Sequence, residues 1–210
     1  MSRTEPVPVR SVVGESYAVD RALTGGLAAG TVVSDLDLED CTIEGGVLER
    51  TTWRRCSLIG CTVSLVDLSM SRFVDVRVAA STIRDSKAQA VDWCGLRPGG
   101  LAETSIRFER CRLDYGSFME LDCRGMRFVS CSLVEADFAG ADCREVELVD
   151  CDLSGARFTR ADLRGALVTG ARGLSLDVRE SRTSGLRLDP ASALDVVTAL
   201  GIDIVDPPGD

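Results

Sequence analysis

From Ser132 to Ala166 the chain reads SLVEADFAGADCREVELVDCDLSGARFTRADLRGA, and every fifth residue is Leu, Phe or Cys: Leu133, Phe138, Cys143, Leu148, Leu153, Phe158 and Leu163. Two places before each stands a small or apolar residue, from Cys131 and Ala136 to Ala156 and Ala161. A period of five fits neither the 3.6 of a helix nor the 2 of a flat strand. The same central position runs by fives from Val33 to Trp93 and again from Phe108 to Val168. Identities also recur at twenty: Phe118, Phe138 and Phe158; Leu113, Leu133 and Leu153; Cys111, Cys131 and Cys151. In the first half Ile43, Val63 and Ile83 form one such series, and Trp53, Phe73 and Trp93 another. A self-similar period of about twenty or more marks a solenoid whose turns stack on one another. Four quintets per turn make it all-β and four-sided, each inward side chain lying on its equivalent about 4.8 Å away. Like stacks on like, because a dense interior holds each column at constant volume.

The quintets ADFAG (136–140), CDLSG (151–155) and ADLRG (161–165) resemble the A(D/N)LxX motif of the pentapeptide-repeat family, and the resemblance extends from about residue 31 to 172. It implies a right-handed quadrilateral β-helix.

Nine cysteines invite a disulfide or metal reading, and their phase argues against both. Cys41, Cys56, Cys61, Cys111, Cys131 and Cys151 occupy the small position, Cys123 and Cys143 the central one, and only Cys94 is out of phase. They are expected to be free, buried thiols in a reducing, cytoplasmic compartment. No C-x-x-C spacing occurs and the chain has no His, so no metal or cofactor is expected. A filled coil without a cleft or a histidine base points away from an enzyme. No apolar run reaches the roughly 20 residues of a membrane span. The net charge of −9 favours a basic partner surface over direct contact with nucleic acid.

The period fails between Trp93 and Phe108, where Pro98 and Glu103 fall on positions that should be buried. Removing Leu96–Ser105 would set Cys111, Cys131 and Cys151 beneath Cys41, Cys61 and Ser81, and Leu113, Leu133 and Leu153 beneath Ile43, Val63 and Ile83. This alignment predicts a ten-residue protruding loop at 96–105 between coils at 31–95 and 106–172. Residues 1–30 read as an irregular first turn, and 173–210 as a cap with a short helix. In LDPASALDVVTALG, Asp189 is the expected N-cap, Pro190 the first helical residue and Gly201 the stop. The apolar face with Leu194, Val197 and Leu200, followed by Ile202 and Ile204, reads as a homodimer contact at the end of the coil.

The C-terminal segment GLRLDPASALDVVTALGIDIV resembles that of the Qnr-type quinolone-resistance proteins, and AVDWC with SIRFERCRLDYGSF resembles the albicidin-immunity family. The resemblance implies a rod-shaped DNA mimic that binds a bacterial type II topoisomerase, DNA gyrase and also topoisomerase IV, and protects it from poisons. The alternative is an acidic interaction scaffold whose partner is unrelated to DNA topology. Candidate contacts are Leu96, Arg97, Pro98 and Leu101 in the loop, with the acidic run Glu135, Asp137, Glu145, Glu147, Asp150 and Asp152. Asp122, Asp142 and Asp162 beside Arg124, Arg144 and Arg164 read instead as a charge-neutral ladder of exposed ion pairs, each worth little.

Overall fold

The computed structural model describes residues 5–98 and 106–205. The chain winds as a parallel β-solenoid with four faces, here lettered A to D in chain order. Face C is one sheet of ten parallel strands, from Val7–Pro8 through Thr42–Val47, Thr62–Asp67 and Arg107–Glu109 to Arg187–Leu188. Ten stacked strands make about nine turns, or roughly 43 Å of rod. Face A begins with the strands Val32–Ser34, Thr52–Arg54 and Arg72–Val74 and continues as single bridges through Asp92, Ser117, Asp137 and Arg157. Face B has five strands from Tyr17–Val19 to Leu96–Pro98, and then the bridges Asp122–Asp142–Asp162–Arg182. Face D is held by bridges from Asp67 through Lys87, Arg112, Ser132 and Asp152 to Arg172.

A five-residue unit turns a right angle because its last residue is left-handed. Among the described residues nineteen non-glycines have φ between 49° and 60°, and every one sits at a sequence number divisible by five, from Asp20 to Arg160. That conformation costs an ordinary L-residue roughly 1–2 kcal/mol, a cost recovered by the two inward side chains each unit buries. The small inward position has a second task. The thiols of Cys56, Cys61 and Cys151 donate to carbonyls of Val33, Leu38 and Phe128 one turn back, at 3.6, 3.5 and 3.4 Å. Ser71 and Ser81 do the same with their hydroxyls. A small group with a hydrogen to donate suits that site. Eight of the nine cysteines are buried and all are free, Cys94 being the exposed one.

The columns correct the expected loop. Ile83 pairs with Phe108, twenty-five residues on, whereas Val63 pairs with Ile83 at twenty. Five residues are therefore surplus, not ten. Leu96–Pro98 is a regular strand in register with Val76–Val78, and Leu96 is buried in the core. Leu113, Leu133 and Leu153 accordingly stack on Leu48, Leu68 and Ala88, and Cys111 follows Ser86, not Ser81. What governs the register is aromatic volume. Phe73, Trp93, Phe118, Phe138 and Phe158 form one continuous stack on face A, with ring centroids 5.0, 5.9, 4.6 and 5.1 Å apart. Phe138 is buried between Phe118 and Phe158, as the period of twenty requires.

Both ends of the coil extend further than expected. Tyr17–Val19 and Ala22–Thr24 already pair in regular register with Asp37–Glu39 and Thr42–Glu44, so much of the segment 1–30 belongs to the solenoid. At the other end Arg187–Leu188 still pairs with Leu167–Val168. The helix Pro190–Ala199 then closes the coil. Asp189 caps it by accepting from the Ser192 N–H at 2.7 Å, and the Asp195 carboxylate accepts from the N–H groups of Gly173 and Leu174 at 2.8 and 3.2 Å. These bonds satisfy backbone donors that the last turn would otherwise leave open.

Candidate interaction surface

Sequence neighbours in a coil of this kind become spatial opposites, since five residues advance one face. The acidic run is therefore not a patch. Glu135 is at the corner before face A, Asp137 on face A, Glu145 at the corner before face C, Glu147 on face C, Asp150 at the next corner and Asp152 on face D. One run winds once around the rod, and half of it is already paired. Asp137 binds Arg157, Glu147 lies 2.7 Å from Arg127, and Asp152 lies 2.6 Å from Arg172. Arg172 and the Ser154 hydroxyl hold the Asp152 carboxyl down at about 2. Glu135, Glu145 and Asp150 point outward at corners, on three different edges. The structure does not bring the six together.

The neutral ladder is present as expected. Arg124, Arg144 and Arg164 each make two bonds of 2.6–2.8 Å to the Asp two residues earlier. Their guanidinium groups lower the carboxyls of Asp122 and Asp162.

Of the loop residues, Leu96 faces the core and is withdrawn from any partner. Arg97 is exposed and pairs with Asp75 of the turn below. Pro98 ends a face B strand, and Leu101 lies outside the described residues. At the C-terminal end the helix turns Ser192 and Val196 inward, and Leu200 packs partly on the core. Leu200 thus serves the cap, whereas Leu194, Ile202 and Ile204 stand about half exposed and Val197 is intermediate. Among the described residues no three His, Cys, Asp or Glu side chains converge as a metal site requires.

Residues 131–170 match the family described as Pentapeptide repeats, in eight copies. Residues 131–170 are thus pentapeptide repeats, and the coil as a whole has the pentapeptide-repeat β-helix fold. Among solved structures this solenoid is similar to full-length QnrB1, a plasmid-mediated fluoroquinolone resistance protein, at TM-score 0.55 and 19% identity over 89% of this chain and 100% of that one. A trypsin-treated point variant of QnrB1 matches at TM-score 0.54 and 21% identity, over 86% of this chain and 95% of that one. HetL, a pentapeptide repeat protein of the cyanobacterium Nostoc sp. strain PCC 7120, matches at TM-score 0.38 and 16% identity over 88% and 89%. No curated protein matches by sequence. The surface has two features that a five-residue period does not advertise. Met70, Tyr115 and Met119 are exposed on or beside face A, and the one exposed thiol, Cys94, lies among them. The signal was present in the sequence as large apolar residues at outward positions of the repeat.

Proposed function

We propose that this protein is a cytoplasmic rod that binds a bacterial type II topoisomerase, DNA gyrase foremost and topoisomerase IV as well, and protects it from topoisomerase poisons. The observation that carries this reading is the end-to-end fold likeness to QnrB1, a resistance protein, with about nine turns and one closing helix. Two copies joined through Leu194, Val197, Ile202 and Ile204 would make a rod of roughly 86 Å. Duplex DNA of that length carries on the order of 50 phosphate charges, against −18 for two chains at −9 each. Mimicry of DNA then rests on the shape of the rod more than on its charge.

The test is gyrase supercoiling with and without a fluoroquinolone or albicidin, titrated with the purified protein. Restored supercoiling at micromolar protein is the expected result. No effect on gyrases or topoisomerase IV from several bacteria would favour the second reading, an interaction scaffold with an unrelated partner. One observation speaks for that alternative: the acids are paired with arginines and spread around four faces, not aligned as a phosphate-like stripe.

A further inference from the structure

The corner between faces D and A carries, turn by turn, Arg50, Met70, Ala90, Tyr115 and Glu135, stacked by the backbone bonds that link each turn to the next. All five are left-handed, with φ between 51° and 60°. Met70 and Tyr115 therefore pay twice: a backbone that glycine would adopt without penalty, and apolar side chains 45% and 57% exposed. Beside them on face A, Met119 is 43% exposed and stacks on Cys94, which stacks on Val74. The patch is apolar at its centre and flanked by Arg50 towards one end of the rod and Glu135 towards the other.

That order is antisymmetric about the level of Ala90 and Cys94. Turned end for end against itself, the face sets Met70 opposite Tyr115 and Val74 opposite Met119. The outer turns then set Arg50 opposite Glu135, and Arg160 opposite Asp35, which Arg55 of its own chain already holds at 2.6 and 2.7 Å. We propose that face A docks on face A of a second copy of this chain, the rods antiparallel about a two-fold axis through Ala90, Asp92 and Cys94. Such an interface is isologous: each contact is made twice and the symmetry closes. Like charges meet at two places, and both are already offset. Asp92 faces its own copy but has Arg72 at 3.6 Å, and Asp75, opposite Glu120, is paired with Arg97. The face is about 10 Å wide and six turns long, roughly 300 Å² per rod, which is small for a stable dimer, so the association is weak and reversible. It is separate from an end-to-end contact, which would leave the two Cys94 residues several turns apart.

Cys94, on the proposed axis, provides the readout. In the antiparallel pair two Cys94 thiols face each other, and diamide can accept their two hydrogens as the disulfide forms. Oxidation of the full chain at alkaline pH is expected to give one disulfide-linked dimer on a non-reducing gel, absent in Cys94→Ser. Arg50→Glu and Glu135→Arg, each confirmed folded by its melting curve, should each reduce the cross-linking rate about tenfold, and the double reversal should restore it. No dimer from the wild type overturns the proposal. So does cross-linking that neither charge reversal alters, since that would be chance collision of an exposed thiol.

Discussion

The two halves of the coil share a repeat and differ in how they use it. Through Arg84, faces A, B and C are all made of strands; after Ile106 only face C is, and the others turn tightly with single bridges between turns. The residue before the central one accounts for much of this. Where it is Asp67, Asp92, Asp122, Asp137, Asp142, Asp152 or Asp162, its carboxylate accepts the N–H two residues on, and the unit closes in a turn. Where it is Val32, Thr42, Thr52, Thr62 or Thr82, the β-branched residue stays extended. Asp37 is the exception that remains in a strand. The interiors differ too. The second half interlocks two aromatic columns, with Phe118 and Phe138 edge-on to Phe128 at 5.7 and 6.0 Å. The first half carries one aromatic column, Trp53, Phe73 and Trp93, against Leu, Ile and Val on the other faces, and retains a void of about 30 Å³ lined by Trp53, Phe73, Val63, Val78 and Ile83 among others. A turn-rich exterior goes with two interlocked ring columns, and a strand-rich exterior with one ring column beside a void.

The junction between the halves offers the sharpest way to break this comparison. Deleting residues 100–104 removes the five surplus residues and leaves every column in place, so the melting temperature should hold. Deleting 96–105 removes a strand and shifts the second half by one face, placing Phe118 over Ala88 and Cys123 over Trp93. That variant should lose several kcal/mol, on the order of 10 °C or more in Tm. Equal melting of the two variants would mean the aromatic stack does not set the register.

Core truncation comes next in size. Phe138→Ala removes a ring stacked at 4.6 and 5.1 Å on both sides and should cost about 3–5 kcal/mol in denaturant unfolding. Ile83→Val, beside the void, should cost about 0.5–1.5 kcal/mol. A loss under about 1 kcal/mol for Phe138→Ala would show that the second half relaxes as easily as the first.

Most of the fold was legible because the period is carried by buried residues, and burial is what a period of five reports. The register error has a physical origin. The small column Cys41, Cys61, Ser81, Ile106, Met126, Val146 and Ala166 accepts side chains of very different size, so it is a poor ruler. Rings are a good one, and the spacing of twenty-five from Trp93 to Phe118 already stated the five-residue surplus. The acidic run misleads for the opposite reason: its residues lie outside the inward columns, so packing does not gather them, and nearness in sequence puts them on different faces. Leu96 falls within the ten residues whose removal aligns the cysteine columns, yet Leu96–Pro98 is a strand in register with Val76–Val78 and Leu96 is buried.

Acid should act on both halves, since hydrogen-bond partners, basic ones among them, also lower Asp35, Asp67 and Asp85 in the first. Asp152 is held at about 2 by Arg172 and Ser154, and arginine partners lower Asp122 and Asp162. Groups with depressed folded values stabilise fully above their unfolded value near 4 and lose that contribution as pH falls towards about 2. Asp152→Asn preserves the turn-closing acceptor but does not titrate. It should flatten the fall in Tm between about pH 5 and pH 2, by on the order of 1 kcal/mol after screening at the exposed Arg172. An unchanged acid limb would remove this pair from the account.

The smallest effect tests the packing contrast at matched positions. Val63 and Val168 occupy the same column of face C, and both are buried. Val63 borders the void of about 30 Å³, which has room for roughly one added methylene. Val63→Ile should therefore be neutral or stabilising by up to about 0.8 kcal/mol, the value of one buried methylene. Val168 is buried and does not border that void, so the same change should force a rotamer or backbone shift and cost about 1–3 kcal/mol. Identical chemistry on one column leaves only local packing to set the sign. Denaturant midpoints for the two single variants read it directly. Opposite signs would tie the looser core to the strand-built half, and equal costs would mean that the void is too narrow to admit even one carbon.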